Sequence, residues 1–141
     1  MSAPFRIRRP DTGAKAVALS PQEDFNFYLE RLLKMIPAEV VSLYLVGSGV
    51  IPTDQHIALV IWAIVGLVGV ILIRAYGTAD PEHDKPTDWV HVAISSVGFA
   101  IWVYSLGGPF AAFNLHIPYV GSLLVLAWTF FVPIFYKGPP D

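Results

Sequence analysis

The chain has 141 residues, 55% of them hydrophobic and 14% charged, with a net charge of −2. A soluble domain carries about 25% charged residues, so this composition and a mean hydropathy of +0.57 point to a single membrane domain, with no nucleic-acid partner expected. With no cysteine, a disulfide framework, a thiolate metal site and a cysteine nucleophile are excluded.

The first long apolar run begins near Met35 and is interrupted at once by Glu39, so no secretory signal peptide is expected. Residues 1–19 form an extended basic arm. Pro4, Pro10 and Gly13 break any helix there, and Phe5-Arg6-Ile7-Arg8 alternates apolar with basic as a short strand does. Such a segment can add a strand to a partner's sheet edge. Its arginines can also rest on anionic headgroups. Phe5, Arg6, Arg8 and Arg9 are therefore candidate docking residues for a cytoplasmic protein or for lipid.

Residues 20–34 read as an amphipathic helix. Ser20 suits the cap, Pro21 the first helical position, and Glu23 completes a capping box. Phe25, Tyr28 or Leu29, Leu32 and Ile36 recur at helical spacing, with Glu23, Asp24, Glu30, Arg31 and Lys34 on the other face. The helix is expected at the membrane surface or against a neighbouring subunit, with Phe25 and Tyr28 as docking residues.

Residues 35–136 hold four predicted spans, at about 35–51, 57–73, 89–106 and 119–136. The first covers roughly 26 Å at ~1.5 Å per residue, close to the lower limit for a bilayer core of about 30 Å. Pro37 predicts a bend where it begins. In the second span Ala63, Gly66 and Gly69 recur every third residue, a stripe for close helix packing, and Arg74 is expected to end it. A polar loop to Thr87 follows, with Thr87 or Asp88 capping the third span. Gly107-Gly108-Pro109 stops that span, and an uncharged connection leads to the fourth. Residues 137–141 are a short tail.

All nine Lys and Arg fall before span 1, between spans 2 and 3, or after span 4. The positive-inside rule then places both termini in the cytoplasm. Tyr44, Trp62, Trp89, Trp102, Tyr104, Tyr119, Trp128 and Tyr136 are expected at the interfaces as aromatic belts.

Glu39 lies about one turn inside span 1, where a carboxylate must be paired, protonated or wet. Arg74 and His91 fall at similar depth, so Glu39, Arg74, His91 and Ser95 form a candidate intramembrane polar cluster. A membrane-edge ion pair accounts for it more simply than a proton path. His91, Ser95, Gly98 and Trp102 share a helix face suited to interhelical contact. Asp80, Glu82, His83 and Asp84 are metal-ligand types in contiguous spacing, which is a weak signal. On the far side Asp54, His56, Asn114 and His116 flank the connections. No phosphate loop, nucleophile elbow or dinucleotide fingerprint occurs, and neither a catalytic residue nor a cofactor is expected.

The run Tyr28-Leu29-Glu30-Arg31 through Ile36-Pro37-Ala38-Glu39-Val40-Val41 resembles small prokaryotic membrane proteins, which implies a plasma-membrane location and no particular activity. The expected role is a small homo-oligomeric membrane subunit that anchors or scaffolds a larger assembly. The alternative is an oligomeric channel or pore-forming effector lined near Glu39 and His91.

Overall fold

The computed structural model describes residues 3–7 and 21–138. Among these residues six helices follow one another: α1 (Pro21–Met35), α2 (Ala38–Val50), α3 (His56–Thr78), α4 (Trp89–Leu106), α5 (Gly108–Ala112) and α6 (Pro118–Phe135), with a 3-10 turn at Pro81–His83. Four helical stretches are long and apolar enough to cross a membrane: Pro21–Val50 taken across its break, α3, α4 and α6. Among the described residues the fold is all-helical with no strand, and its four long apolar stretches are those of a membrane protein.

Why the helices stop where they do follows from local chemistry. Pro37 lacks an N–H donor, and α1 and α2 part on either side of it. α4 begins where the Asp88 carboxylate accepts the backbone N–H of His91 at 3.1 Å. It ends at Gly107, whose φ of 88° is open to glycine at little strain. There the uncharged connection folds back as α5.

α4 is the centre of the packing. It lies against α3 and α6 and also touches α1, α2 and α5. The core joins Val40 and Tyr44 of α2, Val70 of α3, and Phe99 and Val103 of α4. Tyr44 meets Phe99 edge-to-face at 5.9 Å between ring centroids. In the α3 and α6 spans only 11% of each is buried inside the chain. Their outer sides are rows of Ile, Leu, Val and Phe, which suits contact with acyl chains.

Small residues set the helix separations. Gly66 receives the Phe99 ring, Gly98 the Trp128 ring and Gly47 the Trp62 ring, each leaving no room for a Cβ. Gly121 lies against the backbone of α4, where a Cβ would come within 2.8 Å of the Ser105 Cα.

Several expectations are corrected. α3 does not end at Arg74 but runs on to Thr78, whose hydroxyl donates to the Arg74 carbonyl at 2.7 Å. Arg74 is accommodated because the bundle supplies its partners. Arg31 is not on a solvent face: it is 9% exposed, and its Nε donates to the Pro133 carbonyl at 2.8 Å near the end of α6. In its place Phe25, Leu29 and Leu33 are exposed. Tyr44 belongs to the core rather than an interfacial belt, and the Trp62 indole donates to the Tyr44 carbonyl at 3.0 Å. The described part of the arm is not an extended strand. Pro4 favours a turn, which the Arg6 N–H closes on the Ala3 carbonyl at 3.2 Å. Arg8, Arg9 and Ser20 lie outside the described residues.

The Gly121 contact is tested by Gly121→Leu against Gly49→Ala, which meets open space. Because the Ser105 backbone cannot rotate away, the first variant is expected to lose about 1–3 kcal/mol. The second should stay near zero, as read from thermal unfolding in detergent.

Candidate functional site: the charged end of the bundle

The break at Pro37 leaves carbonyls at the end of α1 without helical donors. Three consecutive ones are met by side chains from other helices. His91 of α4 approaches the Lys34 carbonyl through Nε2 at 3.1 Å, so that ring nitrogen carries the proton. The Ser95 hydroxyl reaches the Met35 carbonyl at 3.4 Å. The Arg74 Nη2 donates to the Ile36 carbonyl at 3.0 Å. One helix break thereby orders α3 and α4 against the α1–α2 junction.

Arg74 is fully buried and carries three roles. Besides the Ile36 carbonyl it pairs with the Glu39 carboxylate, Nη1 to Oε1 at 2.8 Å. The Phe5 ring covers its guanidinium at 4.1 Å to the centroid. The pair is asymmetric, since the Glu39 side chain remains 40% exposed. Arg74 reaches outward from the bundle to a carboxylate at its rim.

The arm binds the same end. The Phe5 N–H donates to the Gly77 carbonyl at 3.0 Å. Arg6 Nη1 donates to the carbonyls of Thr78 and Pro86, each at 3.0 Å. The Lys34 ammonium donates to the Arg6 carbonyl at 2.8 Å and to the Glu30 carboxylate. Ile7 is buried next to Gly138. Asp88 ties in the chain's other end: it accepts the Tyr136 hydroxyl on one oxygen while capping α4 with the other. Thr87, the alternative cap, instead donates to the Ala75 carbonyl at 3.1 Å.

Of the residues expected to cluster, Glu39 and Arg74 meet directly. His91 and Ser95 join them only through adjacent carbonyls of the α1–α2 break. His91 keeps a buried Nδ1 with no hydrogen-bond partner among the described residues. Phe5 and Arg6 pack on their own bundle. Phe25 is exposed, and Tyr28 donates its hydroxyl to the Phe130 carbonyl at 3.2 Å. In the helix-packing stripe Gly66 makes a close approach to α4, Gly69 is in ordinary contact with Val40, and Ala63 packs on the core. The roles of Arg31 and Thr78 in tying the helix ends, and the second tie of Asp88 to Tyr136, were not anticipated. The one available signal was a proline near each acceptor carbonyl of Arg31 and Arg74.

No convergent ligand set replaces these structural roles. His83 pairs with Asp80 at 2.9 Å, and among the described residues no group of three or more His, Asp or Glu side chains is placed to hold a metal ion. At the opposite end His56 meets Phe113, and His116 meets Tyr104, as ring contacts. No family model matches the chain, and neither the curated proteins nor the solved structures contain a match.

Four substitutions separate the functions of this end. Arg74→Leu strands the Ile36 carbonyl and the Glu39 carboxylate, and is expected to cost about 3 kcal/mol or more. Glu39→Gln keeps an acceptor but leaves the buried Arg74 guanidinium without its counter-charge, and should cost less than Arg74→Leu, about 1–3 kcal/mol. His91→Gln, which retains an N–H donor for the Lys34 carbonyl, should be milder than His91→Leu, where the deficit is about 1–3 kcal/mol. All four are read from unfolding in detergent.

Proposed function

We propose that the chain is a small integral membrane subunit that anchors or scaffolds a larger assembly, working as a homo-oligomer. The observation that carries this reading is how the buried polar groups of the charged end are used. Arg31, Arg74, His91, Ser95 and Asp88 each answer a group of the fold itself. The outward sides of α3 and α6 offer apolar side chains to lipid or to further copies. A polar network devoted to fixing helix ends suits a rigid membrane base. The distribution of Lys and Arg supports a cytoplasmic charged end. The resemblance at the start of span 1 supports a prokaryotic plasma membrane as the location of that base. With Phe5 and Arg6 engaged on the bundle, Arg8, Arg9 and the α1 residue Phe25 remain the docking residues for a cytoplasmic partner.

A channel is the second reading, and one observation favours it. Glu39 is 40% exposed beside its arginine, so a ring of copies turning this edge inward would present carboxylates to cations. His91 and Ser95 contribute less to such a lining, because both are buried within one chain.

Purification from the native membrane in mild detergent, with the mass of the complex determined, distinguishes the two. An anchor is expected to retain a soluble protein that is lost in Arg8→Glu/Arg9→Glu while the melting transition is unchanged. A homo-oligomer without a partner, with cation flux in liposomes that Glu39→Gln alters, would replace the anchor with the channel.

A further inference from the structure

Residues 3–7 occupy a groove whose walls come from different parts of the chain. α3 provides the face of the Arg74 guanidinium and the carbonyls of Gly77 and Thr78. The loop before α4 provides the Pro86 carbonyl, and α1 the Lys34 ammonium. The Gly77 and Thr78 carbonyls are at the last turn of a helix, where the helix itself supplies no donor to them. They are acceptors whether or not the arm is present. Arg74 is likewise held by Glu39 and the Ile36 carbonyl, independently of the arm.

The chemistry of the groove is ordered along its length. A desolvated cation face calls for an aromatic ring. The carbonyl beside it calls for a backbone N–H, and the next two call for a cationic nitrogen with two N–H bonds, as the Arg6 Nη1 supplies. The ammonium then calls for a carbonyl. An aromatic residue followed by arginine satisfies all four, and Phe5-Arg6 does so here. Gly77 is part of the fit, because a Cβ there would collide with the Phe5 ring.

We propose that this groove is a recognition site for the aromatic–arginine segment of the chain's own N-terminus, and that residues 3–7 act as a displaceable strap seated in it. The ligand is the Phe5-Arg6 segment, which every copy of the chain offers. A tethered segment acts at an effective concentration on the order of millimolar, so the resident arm keeps the groove closed to the same segment of another copy. Disabling the resident arm opens it. The site does not depend on an anchoring role.

The test uses the full chain carrying Phe5→Ala, reconstituted in nanodiscs, and a labelled peptide of residues 1–9. The peptide is expected to bind this chain at least ten-fold more tightly than it binds the wild-type chain. A peptide with Phe5→Ala should bind at least ten-fold more weakly, and Gly77→Leu in the receiving chain should abolish binding. Equal binding of the two peptides, or no binding to a Phe5→Ala chain that keeps its melting transition, overturns the proposal. If Phe5→Ala does not fold, p-benzoylphenylalanine placed at position 5 of the full chain decides. Photo-crosslinks to residues 74–78 support the seated strap, and crosslinks elsewhere overturn it.

Discussion

The helix break at Pro37 shapes the rest of this structure. A helix through an apolar medium cannot leave carbonyls unmet, because no water is available to receive them. The break between α1 and α2 therefore needs donors from elsewhere. The donors it finds are His91 and Ser95 on α4 and Arg74 on α3, each aimed at one of three successive carbonyls. A defect in one helix becomes the device that positions two others.

The arginine in this set is costly to bury, and the chain meets that cost with several partners. Glu39 supplies the opposite charge, the Ile36 carbonyl a directional acceptor, and Phe5 a polarisable cover. A guanidinium suits this role better than an ammonium, since its planar fork can serve a carboxylate and a carbonyl at once while its face remains free to stack. The same logic recurs at Arg31, which crosses to the Pro133 carbonyl and joins α1 to α6. Prolines near helix ends and buried arginines are thus two parts of one solution.

These ties gather at one end of the bundle, and the two ends of the described chain gather with them. Ile7 lies beside Gly138, and Tyr136 bonds the residue that caps α4. The opposite end is held differently, by aromatic and imidazole rings in contact and by the turn at Gly107. A bundle fixed polarly at one end, with apolar flanks, is suited to hold its shape in lipid while presenting one charged surface.

The sequence by itself determined that the chain holds four stretches long and apolar enough to cross a membrane, and nearly where they lie. The bounds of α4 were legible to the residue because Asp88 and Gly107 carry local capping chemistry, and the break at Pro37 because a missing donor is visible in the residue type. It also suggested the pairing of Glu39 with Arg74, since two opposite charges at equal depth have few other ways to be tolerated. Only the tertiary structure decided which face of α1 turns inward, because apolar and charged side chains occur on both of its sides and the orphan carbonyl at Pro133 selects Arg31. Only it decided that His91 and Ser95 serve the α1–α2 break rather than Glu39. Their partners are backbone carbonyls, which every residue has and which become distinctive only once a neighbouring helix leaves them unmet.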